Sequence, residues 1–286
     1  MIEATLLRFL EHWWHTLLVV GAFVLGVAVI ERLRPAERGQ PWRDSAFNIV
    51  YGVWSQGVYV AVVPWMTVAA TEWVRGFAPG LLSPAAALSW PAKAGLALGW
   101  LFVYDLCYYA FHRAQHTWPL LWRQHLLHHS DYSVNAFTTF RHHWLEEPLK
   151  VFVVVVPMAI LFDAPPLFTG LAWLLVSAWP AFIHANLRLG FGPGHWLLTS
   201  PQTHRVHHSR LPQHRDRNYA VFFPVIDRLF GSWYEPARDE YPPTGLDTGR
   251  HIRGQFEAAF SPFMRDPAPD PAVATGAPPG GAAPPR

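Results

Sequence analysis

The sequence predicts an all-α fold: an integral-membrane helical bundle of about four spans, three single spans plus a helical hairpin. Of the 286 residues, 51% are hydrophobic and only 15% are charged. Several apolar runs approach the length of about 20 residues that crosses a bilayer as a helix. Clusters of histidine follow the ends of two of these runs. The formal net charge of +2, with no basic patch, argues against a nucleic-acid-binding protein.

The apolar runs divide into three spans and a hairpin. The predicted single spans are residues 13–30, 47–70 and 94–111. Residues 151–162 and 167–183 flank the sequence DAPP, whose two prolines break any helix. These two runs therefore form either a hairpin that enters the membrane and returns or two tilted spans. The acidic N-terminus lacks a small-residue cleavage pattern, so the first run is expected to be retained rather than removed as a signal peptide.

The basic residues of the loops predict the orientation. The first loop contains four arginines: Arg32, Arg34, Arg38 and Arg43. The second contains Arg75 and Lys93 beside Glu72. The positive-inside rule places the first loop in the cytoplasm, so the third span and the hairpin both end on the cytoplasmic side. There a cytosolic helical cap is expected to carry the histidines. The Ala-, Arg- and Pro-rich composition indicates a bacterial inner membrane.

The chain is expected to form one membrane-embedded domain, residues 1–262. Residues 263–286 are rich in Pro, Ala and Gly and are predicted to be a disordered tail. The single cysteine, Cys107, excludes an internal disulfide bond and a cysteine-based metal site.

Thirteen of the 16 histidines lie between residues 112 and 214, in repeated spacings. HRAQH has the spacing i, i+4, and HLLHHS and HRVHHS both have i, i+3, i+4, so each group occupies one side of a helix. Neutral imidazoles in such groups bind Fe, Zn, Cu or Ni. We predict eight metal ligands: His112, His116, His125, His128, His129, His204, His207 and His208. Because a single ion takes about four ligands, eight indicate two neighbouring ions. His184, directly after the hairpin, is the predicted ninth.

Asp105, Tyr109, His112 and His116 follow one another at steps of four, three and four residues, on one face of the third span. An acid in an apolar span is costly and usually functional. We expect Asp105 to accept the second ring N–H of His112 and so fix its tautomer. The alternative is an acid at the membrane interface that is bonded to water.

Five segments in this order resemble the fatty acid hydroxylase/sterol desaturase superfamily of membrane di-iron enzymes. They are DLCYYAFHRAQH, QHLLHHS, HANLRLG, THRVHHS and RNYAVFFPVIDRLFGSW, and the resemblance covers about residues 45–235. It implies a site of two iron ions and the use of O2. It also implies hydroxylation or desaturation of a lipid, with a sterol, acyl chain, sphingoid base, ether lipid or carotenoid as substrate.

The resemblance also implies a set of supporting residues. In NAFTTFRHHWLEE, Asn135, Arg141, His143 and Glu146 align with recurrent positions of the family. Asn218 and Asp227 belong to two later motifs in which this chain departs from the family. Ala220 stands where Asn-Tyr-Gly is usual, and IDRLFGS stands where the family has a Trp-Asp-x-x-Phe-Gly-Thr element. These departures affect the subfamily rather than the ligands. His214 is expected to be a surface histidine.

The chain contains no nucleotide-binding glycine pattern, no cysteine cluster and no haem-attachment motif. An external electron donor, a ferredoxin or a cytochrome b5-like protein, is therefore implied. Four arginines form a candidate docking face, or alternatively contact anionic lipid headgroups: Arg205, Arg210, Arg215 and Arg217.

Two other classes stay open on the residues alone. A zinc-dependent membrane hydrolase could use Glu146 or Glu147 as a general base and a zinc-bound water as nucleophile. A metal transport or binding protein would place its ligands along a path near the middle of the bilayer. Zinc can also replace iron in a purified oxygenase, so zinc content alone does not separate these classes.

Overall fold

The computed structural model describes residues 2–78, 80–82, 89–163 and 166–264, and every helix or strand assigned in these ranges is a helix. The predicted all-α class is therefore confirmed for the described part of the chain. The tail predicted for residues 263–286 lies outside the described residues from position 265 onward.

Ten α-helices are described, with short 3₁₀ turns between several of them. The helices are α1 Ile2–Leu33, α2 Trp42–Arg75, α3 Trp90–Thr117, α4 Pro119–His129, α5 Glu146–Lys150, α6 Val156–Leu161, α7 Pro166–Ile183, α8 Pro201–His207, α9 Pro224–Leu229 and α10 Gln255–Phe260. Each predicted apolar run falls within helical structure, except that Phe162, the last residue of the fourth run, forms an isolated bridge with Leu82.

Among the described residues, α2 and α3 are long and apolar enough to cross a membrane. The segment Leu174–Ile183 of α7 is apolar but shorter. Two helices of this kind are consistent with a membrane protein. The arrangement of about four spans with a cytosolic cap stays a prediction.

The predicted hairpin begins with an irregular helix. Between α5 and α6, residues Val151–Val155 form a π-helical turn, in which the N–H of Val156 bonds to the carbonyl of Val151. The next residue, Pro157, has no N–H to donate, and this favours a wider turn. The hairpin tip is held to the loop between α2 and α3, because the N–H groups of Leu81 and Leu82 both donate to the carbonyl of Leu161.

Helices α3 and α4 pack against each other and carry the first two histidine groups. Arg141, fully buried, holds the end of α4 in place. Its guanidinium donates to the carbonyl of Leu127, to the hydroxyl of Ser130 and to the side-chain oxygen of Asn48 on α2. A single buried cation therefore fixes α4 relative to α2.

Candidate metal centre

The structure brings all nine sequence-predicted histidines into two groups, in which every ring but that of the partly buried His116 is buried. The five-histidine cluster contains His112, His116, His125, His129 and His207. The four-histidine cluster contains His128, His184, His204 and His208. Within each cluster, the nitrogens that could bind an ion all lie within 4.8 Å of one another.

The two HxxHH groups divide their histidines between the clusters in opposite ways. On α4, His125 and His129 belong to the five-histidine cluster, and His128 belongs to the other. At α8, His204 and His208 belong to the four-histidine cluster, and His207 belongs to the five-histidine cluster. In each HxxHH group, the first and third histidines (i and i+4) thus belong to one cluster, and the second histidine (i+3) belongs to the other cluster. The spacing predicts that each group projects from one side of its helix, and in the structure that one side serves two clusters.

In the five-histidine cluster, outward ring nitrogens are held by a loop. The Nδ1 atoms of His112 and His207 lie 2.8 and 2.9 Å from the carbonyl oxygens of Tyr219 and Arg217. A carbonyl can only accept, so each Nδ1 carries the proton and each Nε2 keeps its lone pair. The Nε2 of His112 lies 3.1 Å from the Nε2 of His125. The Nε2 of His207 is buried and has no hydrogen-bond partner.

The four-histidine cluster is centred on His184. Its Nδ1 lies 2.6 Å from the carbonyl of Pro180 and donates to it, which leaves a lone pair on Nε2. That Nε2 faces three others, on His128, His204 and His208, at 3.2, 3.0 and 3.1 Å. The single lone pair on Nε2 of His184 accepts one hydrogen bond well. It therefore cannot form hydrogen bonds with all three neighbouring Nε2 atoms at once.

A cation fits both clusters. Imidazole nitrogens bind transition ions at about 2.1 Å, so two nitrogens that share an ion lie roughly 3.0 Å apart at right angles and roughly 3.4 Å apart in a tetrahedron. The closest nitrogen pairs in both clusters, at 3.0 to 3.2 Å, have this spacing. The orphaned Nε2 of His207 and the convergent lone pairs around His184 are the features that a bound ion would satisfy.

Burial keeps these imidazoles neutral. It lowers the pKa of His207 and of His184 to about 3. Burial, followed by the repulsion of neighbouring histidines, holds the pKa of His204 and His208 well below the usual value. At neutral pH the rings therefore offer lone pairs rather than charges.

The prediction that Asp105 fixes the tautomer of His112 is wrong, because Tyr219 takes that role. The carboxylate of Asp105 instead accepts the backbone N–H groups of residues 221, 222 and 223 at 2.9, 3.0 and 2.7 Å. Asp227 accepts those of residues 219 and 220. Two buried carboxylates thus hold five consecutive amides of the loop whose carbonyls orient His112 and His207.

Three other predicted supporting residues hold backbone or neighbouring side chains rather than cluster histidines. The hydroxyl of Tyr109 bonds to Ser232. Asn135 caps the 3₁₀ turn Ala136–Phe140. Asn218, in a left-handed conformation with φ 56°, donates to the carbonyl of Thr203 on α8. With Arg141, these residues position the elements that carry the histidines.

Glu146 contacts the site directly, and His142 is the residue that the sequence analysis missed. The buried carboxylate of Glu146 lies 3.5 Å from Nδ1 of His125 and 3.0 Å from Nδ1 of His142. Burial alone would raise the pKa of Glu146, but His142 and His125 hold it well below its usual value. The ring of His142 stacks on His128 at 4.0 Å. His143 instead bonds to the carbonyl of Ala259, and the i, i+4 spacing to Glu146 was the signal for His142.

A cavity of about 480 Å³ opens beside the clusters. Its lining includes four of the nine histidines: His112, His128, His184 and His204. The remaining walls are mostly apolar and come from α2, α3, α6, α7 and the π turn. On α2 the lining extends from Gln56 to Arg75, about 28 Å at 1.5 Å per residue. That length is close to the hydrocarbon thickness of a bilayer, about 30 Å.

Two expectations about surface residues are corrected. Arg205 is buried and bonds to Glu37 at 2.8 Å, and Arg215 pairs with Asp247, so the four arginines do not form one open docking face. His214 is fully buried between Ser209 and Glu240 rather than exposed.

Comparison with known proteins gives consistent matches. Residues 97–232 match the fatty acid hydroxylase family. The chain is 30% identical over 180 residues to the ornithine lipid hydroxylase OlsE of Rhizobium tropici, covering 62% of this chain and 52% of that protein. It is 34% identical over 129 residues to the alkylglycerol monooxygenase of Xenopus tropicalis, covering 45% and 28% of the two chains.

A very-long-chain aldehyde decarbonylase of Oryza sativa is 26% identical over 168 residues, covering 55% of this chain and 25% of the relative. The chain thus spans about half the length, or less, of these curated relatives. No solved structure matches it significantly. The family match and these relatives support the place of the chain in the fatty acid hydroxylase/sterol desaturase superfamily.

Proposed function

We propose that this protein is a membrane-bound di-iron oxygenase that hydroxylates or desaturates the aliphatic part of a lipid. One observation carries the proposal: two buried histidine clusters lie side by side at an apolar cavity. Three of its relatives are named for lipid hydroxylation, alkylglycerol oxygenation and aldehyde decarbonylation, and all three names concern lipids or long aliphatic chains.

The nine clustered histidines would hold two iron ions, which supply the O2 activation that no side chain can provide. The protein's own contribution is to position and shield. The loop carbonyls of Arg217 and Tyr219 and the carbonyl of Pro180 fix three ring tautomers. Burial keeps all nine rings neutral and excludes water from the reacting carbon.

The cavity would bind and orient the lipid chain. On α3, Trp100, Tyr104, Tyr108 and His112 follow one another at four-residue intervals along its wall. An aliphatic chain that lies along this aromatic strip reaches the clusters at His112. We propose that residues 1–262 form one membrane-embedded domain in a bacterial inner membrane, with the clusters on the cytoplasmic side.

The first test is the metal content of protein purified in detergent, with a Mössbauer spectrum after growth on iron-57. We expect about two coupled irons per chain. Zinc alone, persisting after iron-replete growth and anaerobic handling, would favour a hydrolase, and metal flux in liposomes would favour a transporter.

The second test is incorporation of ¹⁸O. Iron-loaded protein in nanodiscs is supplied with lipid extract, reductant and ¹⁸O2, and products are analysed by mass spectrometry. A hydroxylated lipid that carries one ¹⁸O supports the oxygenase. A product that takes its oxygen only from ¹⁸O-labelled water would instead indicate hydrolysis.

A further inference from the structure

The cavity beside the clusters has a charged patch in its apolar wall. Apart from the histidines, three of the described residues that line it are charged: Glu147 and Lys150 on α5, and Arg75 at the far end of α2. Glu147 and Lys150 stand three residues apart and form an ion pair, and their side chains are 30% and 18% exposed. Such a pair in an apolar wall carries a desolvation cost that a plain hydrocarbon in the cavity would not offset.

The ammonium of Lys150 lies close to the predicted metal ligands. Its Nζ lies 5.5 Å from the ring centre of Tyr108, whose ring centre is 5.6 Å from that of His112. It also lies 4.0 Å from Oε1 of Glu146, whose other oxygen contacts His125. On α3, Tyr108 precedes His112 by about one helical turn, or about 6 Å along the axis. A substrate group bound to Lys150 would therefore lie about one turn from the clusters.

The ion pair offers a donor and an acceptor side by side. An ammonium has three N–H donors, so Lys150 can donate to a substrate oxygen while it stays paired with Glu147. The carboxylate of Glu147 has several lone pairs and can accept from a substrate O–H in the same way. The hydroxyl of Tyr108 does not compete, because it donates to Glu146 at 3.5 Å. A hydroxyl group donates and accepts at a single oxygen, and this matches the pair.

The charge of the patch argues against an anionic substrate group. Lys150 faces two carboxylates, those of Glu147 and Glu146, so it has no surplus positive charge to attract a third. A hydrocarbon without a polar group would leave the ion pair desolvated. A neutral hydroxyl avoids both costs, because it forms charge-assisted hydrogen bonds with both ions and adds no charge.

We propose that the Lys150–Glu147 pair binds a hydroxyl group of the lipid substrate and thereby determines which carbon faces the clusters. This inference rests on the proposed function and specifies a lipid alcohol as its substrate. The hydroxyl oxygen accepts from Nζ of Lys150, and its proton is donated to the carboxylate of Glu147 in a hydrogen bond. The carbons next to the hydroxyl then face the clusters, and the rest of the chain extends along Tyr104 and Trp100.

The test measures binding rather than turnover. Full-length protein in nanodiscs is kept anaerobic and loaded with tritiated hexadecanol, which is then displaced by unlabelled hexadecanol, hexadecanoic acid or hexadecane. The three competitors have one chain length and differ only at the end group. The test variant is Lys150→Met with Glu147→Leu, which replaces the pair by apolar side chains that favour a helix. Each competitor partitions into the nanodisc equally for all variants, so a change in selectivity reports on the cavity.

The matched comparison variant is Arg75→Met with Glu72→Leu. It removes a second ion pair with the same spacing along the chain, in which Nη1 of Arg75 lies 3.4 Å from the carboxylate of Glu72. Arg75 lines the far end of the same cavity. A substrate hydroxyl that bound at that end would make this variant, rather than the test variant, lose its selectivity.

We expect the preference for hexadecanol over hexadecane to fall about tenfold or more in the test variant, because a site that bonds a hydroxyl discriminates against its absence. The comparison variant should keep the preference of the wild type. Undiminished displacement by hexadecane would show that the cavity of the test variant is intact.

Three results would overturn the assignment. They are an unchanged preference in the test variant, a loss of preference in the comparison variant, and a larger effect of the test variant on hexadecanoic acid than on hexadecanol, which would indicate an anion site. The proposed function fails separately, if the wild type binds no iron, because the displacement measurements involve no turnover.

Discussion

The two histidine clusters are built from the same sequence pattern but are supported differently. In the five-histidine cluster, outward nitrogens bond to the loop at residues 216–219. In the four-histidine cluster only His184 has such a bond, and the Nδ1 atoms of His128, His204 and His208 have no hydrogen-bond partner. Three members of the four-histidine cluster line the cavity, against one of the five-histidine cluster. The five-histidine cluster is thus held by the loop at residues 216–219, whereas the four-histidine cluster faces the cavity.

The largest effect is expected from His207→Ala and His208→Ala, because these neighbours serve different clusters. Each variant should lose one of the two proposed ions and retain the other, and activity should fall by more than about 100-fold. Metal content and the Mössbauer spectrum should reveal two different single-ion species. Identical spectra, or full occupancy in both variants, would contradict the division into clusters. His128→Ala should resemble His208→Ala.

Asp105→Asn should distinguish the supports of the two clusters. The amide removes the charge that accepts three backbone N–H groups and introduces a donor facing them, which costs about 2–4 kcal/mol. Because this loop orients His112 and His207, the five-histidine cluster should lose its ion first. Thermal unfolding and the metal content after mild chelation measure both effects.

A matched control for that variant is Asp163→Asn, at a carboxylate that is 53% exposed and far along the chain from the loop. It should leave both measurements unchanged. Equal loss of both ions in Asp105→Asn would mean that the loop supports the whole site rather than one cluster.

Glu146→Gln should have a smaller effect on the five-histidine cluster than Asp105→Asn. The carboxylate contacts His125 and His142 but orients no backbone segment. Removal of such a partner typically weakens metal affinity about 10–100-fold. Competition with a chelator measures the change, and Glu147→Gln, at the neighbouring and more exposed carboxylate, is the control. An unchanged affinity would show that Glu146 serves packing only.

Local patterns predicted the helices and the nine clustered histidines, because apolar runs and i, i+3, i+4 spacings are properties of neighbouring residues. The division of the histidines between the two clusters could not be predicted in this way, because both HxxHH groups have the same spacing. Nor could the partners of Asp105, which lie 116 to 118 residues away along the chain. His142 and His143 are adjacent, and only the turn that places one against Glu146 separates their roles.

The smallest expected effect concerns His251, which lies outside both clusters. Burial, followed by the nearby cations Arg141 and Arg253, lowers the pKa of His251 to about 4 from a usual value of 6.5. The unfolded chain therefore takes up this proton first as the pH falls. The contribution of neutral His251 to the free energy of unfolding is complete above pH 6.5 and is lost as the pH falls toward 4.

His251→Phe keeps a ring against Tyr132, whose centre lies 5.1 Å from that of His251, and removes the titrating group. Other histidines titrate in the wild type and in the variant alike. The difference between their curves of melting temperature against pH therefore reports on His251. The melting temperature of the variant should fall less steeply between pH 6.5 and 4, by about 2–4 °C for each kcal/mol involved. Parallel curves would show that His251 has the same pKa in the folded and unfolded chain. Its environment in the folded chain would then be open to water.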